Sequence, residues 1–313
     1  MKMFFLKVFL FVLVATTAMT FVLEKYGGYV DYFYVKLSSP AQTSLIVGDS
    51  RSMQGVQPAV INKYFSNSDL EMPILNYSFT VAQAAYGEHY FRSIRKKLHP
   101  ETTNGLFIIT VSPFEVSKNP KDNEATHEFF EADAPPHNMH FVNIRPNPEY
   151  LFRNYNLFHF KAIFKKKSRV HEDGWFQGDN VPTDPKVIKK LKVEKVKQFE
   201  KEASTLKKSN YRLKSLDSLV AYLEKRGQVY LVRMPLDKEV AAVENSYWKG
   251  FDNDMDSIAQ RNKSKYINFS INNPFQTYDG VHLDNETGAI FTKVLCDSIA
   301  NSAMASKNTI RKQ

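Results

Sequence analysis

The stretch LIVGDSRSMQG, residues 45–55, decides the fold of this chain. It begins with an apolar run of strand length, turns at Gly48-Asp49-Ser50 and leads to Gln57-Pro58, where the proline suits the first turn of a helix. The pattern predicts a strand, a tight turn and a helix. In an open α/β sheet, ligands and chemistry gather at the carboxyl ends of parallel strands. Ser50 is therefore well placed to be a nucleophile, although an ordinary turn is the simpler interpretation of these three residues alone.

Apolar runs of strand length alternate with helical patterns through the rest of the chain. Further strands are predicted at residues 72–81, 105–111, 228–235 and 265–269. Helices are predicted at residues 56–65, 82–98, 186–226 (with a break at Ser209-Asn210) and 285–304. Such alternation is typical of a mainly parallel sheet with helices on both faces. We therefore expect one α/β domain over residues 44–313, with three α/β/α layers, about five strands and an insertion at about residues 113–185.

A second polar turn, Tyr278-Asp279-Gly280-Val281-His282-Leu283-Asp284, lies near the other end of the chain. It follows the last predicted strand and precedes the last predicted helix. A serine hydroxyl needs an adjacent base to become nucleophilic, and the base needs a third group that fixes its tautomer. Ser50, His282 and Asp279 are the residues predicted to fill these roles.

These two turns resemble the first and last sequence blocks of the SGNH (GDSL) hydrolase superfamily. Gly48-Asp49-Ser50 matches the first block and Asp279-Gly280-Val281-His282 the last, in the right order and at a fitting distance. The resemblance implies a flavodoxin-like three-layer fold and a Ser-His-Asp triad that cleaves or transfers esters. No Gly-x-Ser-x-Gly elbow occurs, which argues against the α/β-hydrolase fold.

The resemblance also implies an oxyanion hole formed by the serine amide, a glycine amide after the second strand and an asparagine side chain after the third. Residues 78–81 stand at the glycine position, and Ser112-Pro113-Phe114-Glu115 replaces the expected Gly-x-Asn-Asp. Losing one such donor costs about 100- to 1,000-fold in rate. Either another group substitutes for the asparagine or activity is low. The candidate oxyanion donors are the amide of Ser50, the residues Ser78 and Val81 at the glycine position, and Asn76 or Ser112 in place of the asparagine.

Two arginines are candidate substrate-binding residues. Arg233 ends the fourth predicted strand, and Arg51 directly follows the serine. A guanidinium group at the edge of the sheet can bind a carboxylate or phosphate through two parallel hydrogen bonds. A structural ion pair is the alternative for Arg233.

The first residues predict a membrane anchor. Lys2 and Lys7 precede or interrupt an apolar run that reaches Leu23, about 20 residues from Phe4, which is close to the length that spans a bilayer. We prefer an uncleaved anchor over residues 1–23 to a cleaved signal peptide, because the small-residue cleavage site is poor. The basic residues favour an N-inside orientation, with the domain outside the cytoplasm. Residues 24–43 are predicted to be a spacer.

The insertion invites two further interpretations. Imidazole and carboxylate groups occur at His127, Glu131, Asp133, His137 and His140, but no helical metal-binding register is present, so no metal or other cofactor is expected. Residues 150–170 place Leu151, Tyr155, Phe158 and Ala162 on one helical face that ends in basic residues. That pattern fits a helix covering the core, which we prefer, or an amphipathic element on an anionic membrane.

Together these features predict a serine esterase or O-acyltransferase of the bacterial inner membrane, with its domain in the periplasm. The net charge of +9 suits anionic surroundings, and no nucleic-acid-binding motif accompanies it. The resemblance is to divergent membrane-anchored members that modify cell-surface polymers, so an acylated glycan or envelope polymer is the expected partner. A catalytically weak binding or assembly protein with envelope protein partners is the first alternative. A structural protein of the membrane surface is the second.

Overall fold

The computed structural model describes residues 1–154, 159, 161, 164, 167–271 and 274–310, with side chains to residue 303. The strands of this part are β1 (Ser44–Val47), β2 (Ile74–Asn76), β3 (Gly105–Thr110), β4 (Ser117–Lys118), β5 (Arg169–Val170), β6 (Phe176–Gln177), β7 (Lys207–Lys208), β8 (Gly227–Arg233) and β9 (Lys265–Asn268). Its α-helices are α1 (Lys2–Tyr26), α2 (Tyr34–Ser38), α3 (Ser50–Gly55), α4 (Pro58–Tyr64), α5 (Glu88–Lys97), α6 (Pro148–Asn154), α7 (Pro185–Thr205), α8 (Asn210–Glu224), α9 (Lys238–Tyr247), α10 (Phe251–Arg261) and α11 (Asn285–Ile310). The protein is an α/β protein built on one larger sheet.

That sheet has five parallel strands in the order β2-β1-β3-β8-β9 among the described residues. Every residue of β1 and β3 is buried, as expected for parallel strands covered on both faces. Successive side chains point to opposite faces, so Leu45 and Val47 join one apolar cluster and Ile46 joins another. The first cluster contains side chains of α5, α8 and α10, and the second those of α4 and α11. Cys296 lies buried in the second cluster, as its apolar surroundings in the sequence predict.

Parallel pairing continues beyond the end of β2. The amide of Tyr77 donates to the carbonyl of Ile46 at 2.7 Å, and the amide of Phe79 donates to the carbonyl of Gly48 at 2.9 Å. The segment that follows β2 is therefore fixed beside the turn that follows β1.

Several helices differ in their ends from the sequence-based expectation. The helix predicted at residues 56–65 is α4, which is slightly shorter, and an additional short helix, α3, begins at Ser50. The helix predicted at residues 82–98 begins only at Glu88, as α5, since residues 82–87 are not helical. The predicted break in the long lysine-rich region is confirmed. There the hydroxyl of Ser209 accepts a hydrogen bond from the amide of Arg212 and caps the start of α8.

The N-terminal segment contains one helical span, Lys2–Tyr29, that is long and apolar enough to cross a membrane. The residues predicted as a spacer pack on the domain. Tyr34 and Leu37 of α2 are buried in the first apolar cluster, and the carboxylate of Asp31 accepts a 2.6 Å hydrogen bond from the hydroxyl of Tyr150. This segment is part of the folded domain because its apolar and aromatic side chains are buried there.

The insertion between β3 and α7 is mostly irregular. It contributes β4, which pairs with β7, the small hairpin of β5 and β6, and the short α6. Leu151, the first residue of the apolar helical face predicted in residues 150–170, is buried, which agrees with core packing at that position. Tyr155, Phe158 and Ala162 lie outside the described residues.

Candidate active site

The turn after β1 presents Ser50 at the start of α3. Asp49 is the N-cap of this helix, and its Oδ1 accepts a 2.9 Å hydrogen bond from the amide of Arg51. Gly48 has φ of +145°, a backbone conformation that residues with a side chain rarely adopt. A Cβ atom on Gly48 would lie 1.8 Å from Oγ1 of Thr110, so both backbone conformation and space require glycine there.

The turn before α11 presents Asp279 and His282. Oδ1 of Asp279 accepts hydrogen bonds from the amides of Val281 at 3.1 Å and His282 at 2.9 Å. Gly280 supplies the positive φ of +104° that this turn needs, and its carbonyl accepts from the amide of Asp237. Local hydrogen bonds therefore set the aspartate and the histidine relative to each other.

The structure brings Ser50, His282 and Asp279 into one chain of hydrogen bonds. Nε2 of His282 lies 2.9 Å from Oγ of Ser50, and Nδ1 of His282 lies 2.8 Å from Oδ2 of Asp279. Because the carboxylate only accepts, Nδ1 carries the imidazole proton and Nε2 is left to accept from the serine hydroxyl. The arrangement can therefore transfer the serine proton to the imidazole as the serine attacks.

Electrostatics favour an ionised Asp279. Burial by itself would raise the pKa of this carboxyl, but the hydrogen bonds from His282 and the nearby charges of His282 and Lys195 lower it to about 2. Nζ of Lys195, on α7, lies 3.7 Å from Oδ2 of Asp279. The group that orients the imidazole is thus an anion at neutral pH.

Two neighbours of the triad were not assigned roles from the sequence. The ring of Tyr278 stacks on the imidazole of His282 with centroids 5.9 Å apart, and its hydroxyl donates to the side-chain oxygen of Gln54 at 2.9 Å. Burial raises the pKa of Tyr278, so its hydroxyl remains a donor at neutral pH. The sequence signal that could have indicated a role for Tyr278 was its position directly before Asp279. For Gln54 the sequence held none.

The structure corrects three of the five oxyanion candidates. The side chains of Asn76, Ser78 and Ser112 are all fully buried, so none of them faces a substrate. The backbone amide of Ser78, which stands at the glycine position, donates to Oδ1 of Asn76 at 3.1 Å. The side-chain amide of Asn76 donates to the carbonyls of Ser52 and Val56 and thereby holds α3. The hydroxyl of Ser78 accepts from the hydroxyl of Ser52 at 2.8 Å. Asn76 and Ser78 therefore hold the start of α3 and the turn before it, residues 48–50, which we call the nucleophile turn after the candidate nucleophile Ser50.

Ser50 and Val81 are the two oxyanion candidates that are accessible to solvent. Ser50 is partly exposed, and Val81 is 39% exposed in the turn that follows Phe79. The amide of Ser50 is among the first N–H groups of α3, which have no acceptor within the helix. Backbone amides at Ser50 and near Val81 therefore stay the predicted oxyanion donors.

Arg51 and Arg233, the two candidate substrate-binding arginines, are also corrected. Their side chains are 5% and 0% exposed, and they share the carboxylate of Glu244 at 3.0 and 2.9 Å. Arg51 also pairs with Asp49 at 2.6 Å, and Arg233 pairs with Asp252 at 2.9 Å. Charged groups that are buried need such partners, so both arginines belong to an ion-pair network beneath the nucleophile turn.

A cavity of about 610 Å³ lies between α7 and α9. Val240 and Asp237 line it, and both also contact the Asp279 turn, through Gly280. Its other walls are largely apolar with lysines of α7 at the rim, such as Lys189. The cavity adjoins the turn that carries Asp279 and His282.

The candidate metal ligands of the insertion are not grouped around a common point. Glu131 pairs with Arg212 at 2.8 Å, and His140 lies 2.7 Å from Glu149. Among the residues that the structure describes, no group of three or more His, Cys, Asp or Glu side chains is arranged to hold a metal ion.

No protein-family model matches the sequence, and no curated protein matches it. The functional conclusion therefore depends on the geometry of the site.

Proposed function

We propose that this protein is a serine esterase or O-acyltransferase that uses Ser50, His282 and Asp279 as its catalytic residues. The observation that supports this proposal most directly is the pair of hydrogen bonds at 2.9 and 2.8 Å that joins the three side chains. The parallel sheet and the resemblance of the two turns to SGNH hydrolases are consistent with a divergent three-layer member of that superfamily.

The proposed reaction has two steps. Oγ of Ser50 attacks the ester carbonyl while Nε2 of His282 takes the hydroxyl proton, and Asp279 stabilises the imidazolium that forms. The C–O bond of the ester breaks, the leaving alcohol takes the proton from His282, and the acyl group remains on Ser50. Water then releases it as a carboxylic acid, whereas a sugar or polyol hydroxyl takes it as a new ester.

The tetrahedral intermediates of both steps carry a negative oxygen. The amide of Ser50 and an amide near Val81 are proposed to donate to it. A site with only these two donors lacks the asparagine donor expected from the resemblance. Removal of a comparable donor lowers the rate by about 100- to 1,000-fold. We therefore expect slow turnover of simple esters.

The proposed substrate is an acylated glycan or other cell-envelope polymer. The chain carries a net charge of +9, and α7, which contacts Asp279 through Lys195, is rich in lysine. Positive charge beside the site would raise the local concentration of an anionic polymer. The proposed location is the bacterial inner membrane, with one span and the domain in the periplasm. Lys2 and Lys7 support this orientation.

The test uses the full-length protein in detergent micelles with a chromogenic acetyl or short acyl ester. We expect measurable turnover by the wild type and a fall of at least about 10,000-fold for Ser50→Ala and His282→Ala. Equal hydrolysis by all three proteins would rule out the proposed triad.

A binding or assembly protein of the envelope is the second candidate. It is favoured by the burial of Asn76, Ser78 and Ser112, which leaves no side-chain donor of the three facing a substrate. A fluorophosphonate probe separates the two functions because it labels only an activated serine. Labelling of the wild type but not of Ser50→Ala supports the enzyme. An unlabelled wild type that binds envelope polysaccharide tightly supports the binding protein.

The orientation has its own test. A periplasm-dependent reporter enzyme fused after Gln313 is expected to be active, and a cytoplasm-dependent one inactive. The opposite result would place the domain in the cytoplasm and remove envelope polymers as substrates.

A further inference from the structure

A buried lysine connects the segment after the membrane helix with the candidate active site. Lys36 lies in α2, between α1 and β1, and its side chain is fully buried. Its Nζ donates a hydrogen bond of 2.5 Å to the carbonyl oxygen of Ser78. Ser78 belongs to the segment after β2, which contains Val81.

The interior position of this amino group is costly. Burial lowers the pKa of Lys36 well below its ordinary value, with the charge of Asp173 opposing that shift. The ring of Phe79 lies under Nζ at 5.6 Å from its centroid and offers a weak cation–π contact. An apolar side chain of similar length would fill the space without this cost. The polar end of Lys36 is therefore matched to one acceptor, the carbonyl of Ser78.

That carbonyl lies where the loop after β2 meets the nucleophile turn. On one side, the hydroxyl of Ser78 accepts from Ser52 at 2.8 Å, and the amide of Phe79 donates to Gly48 at 2.9 Å. On the other side, Lys36 binds the carbonyl of Ser78. The peptide group between Ser78 and Phe79 is thus held at both its oxygen and its nitrogen.

We propose that Lys36 is a positioning residue that fixes the loop after β2 so that an amide near Val81 faces the oxyanion. The membrane-proximal segment is then part of the active site as well as a connection to the anchor. This inference rests on the proposed serine mechanism. It assigns to Lys36 a role in transition-state stabilisation without contact to the substrate.

The test compares Lys36→Met with Lys97→Met in the full-length protein. Lys97 is a matched control because it is also fully buried, donates to a carbonyl, that of Ser39, at 2.5 Å and lies over an aromatic ring, that of Tyr77. Ser39 lies outside the loop. Ester turnover and amide hydrogen exchange of residues 78–84 are measured on wild type, both variants and Ser50→Ala.

For Lys36→Met we expect kcat to fall about 10- to 100-fold with little change in KM, since a displaced oxyanion donor weakens only the transition state. We also expect faster exchange at residues 78–81. Lys97→Met should reduce thermal stability without either change.

Three results would overturn the inference: unchanged kcat in Lys36→Met, unchanged exchange in its loop, or the same changes in Lys97→Met. Equal rates for wild type and Ser50→Ala would instead overturn the serine mechanism itself. The exchange data report on the loop even then, so the two failures are distinguishable.

Discussion

Nε2 of His282 lies 2.9 Å from Oγ of Ser50, although 232 positions separate the two residues in the chain. Each of the two turns is fixed by its own aspartate, since Asp49 caps α3 and Asp279 accepts from the amides that follow it. The parallel sheet then only has to bring two preformed turns to the same edge. A site assembled in this way is ordered before any substrate arrives, which is a condition for efficient electrostatic catalysis.

Asp279→Asn is expected to lower kcat of ester hydrolysis by about 1,000- to 10,000-fold, as the loss of the orienting carboxylate does in serine hydrolases. The asparagine amide cannot stabilise the imidazolium and permits the wrong tautomer of His282. Steady-state kinetics measure the effect. Asp284→Asn is the control on the same turn, because asparagine replaces aspartate as an acceptor for the amide of Thr287. Similar rates for the two variants would mean that Asp279 does not serve the imidazole.

Gly48→Ala is expected to lower the stability of the fold by at least about 1 to 3 kcal/mol and to reduce turnover. The alanine must adopt a φ of +145°, and its Cβ meets Thr110, whose hydroxyl binds Ser52 at 2.9 Å. Thermal unfolding and ester kinetics report the two effects.

Gly250→Ala is the matched control for that substitution. A Cβ atom at Gly250 would have no neighbour within 4 Å, and its φ is −100°. We expect this variant to keep the activity of the wild type and to lose at most about 1 kcal/mol of stability, because Gly250 is the N-cap of α10 and alanine is a poorer N-cap than glycine. A Gly48→Ala protein as stable and active as Gly250→Ala would show that the nucleophile turn does not need glycine.

The sequence favoured a meeting of the two turns because Gly48-Asp49-Ser50 follows β1 directly and the Asp279 turn lies on the connection from β9 to α11, and such connections leave a parallel sheet at one edge. The apolar run of β1 and the Gly48-Asp49-Ser50 turn are recognisable from local sequence, and the structure forms the strand and the turn at these residues. The role of Lys36 had no such signal. It is one of 42 lysines and arginines, and nothing nearby in the sequence distinguishes a buried amine from a solvated one.

The ion-pair network below the turn shows why the arginine prediction was wrong. Arg233 lies near the site because it ends β8. The direction of its side chain, however, is set by ion pairs with Glu244 and Asp252, which lie on two later helices. Their distance from Arg233 is set by how α9 and α10 pack. Tertiary packing decides whether Arg233 contacts a ligand or forms an ion pair, and the spacing of residues in the sequence does not reveal that packing.

Glu244→Gln is expected to destabilise the protein by about 3 kcal/mol, because it removes the buried carboxylate that pairs with both Arg51 and Arg233. Burial and the charge of Asp49 raise the pKa of Glu115 well above its ordinary value, so Glu115 is a poor substitute as a counter-ion. Chemical denaturation measures the loss. Glu239→Gln, an exposed position on the same helix, should stay within about 0.5 kcal/mol of the wild type. Equal stability of both variants would argue that the network contributes little.

The low pKa of Asp279 makes part of the protein's stability depend on pH. Its folded pKa of about 2 lies below the ordinary value of 3.8, so the native state binds the proton more weakly than the unfolded chain. The stabilisation is therefore complete above about pH 5 and is lost as the pH falls from about 4 to 2, for a total of about 2 kcal/mol. In Asp279→Asn this dependence is absent, so the difference in thermal midpoint between wild type and variant should shrink between pH 6 and pH 2.5. A difference between Asp279→Asn and the wild type that stays constant with pH would mean that Asp279 is not held as an anion by His282 and Lys195.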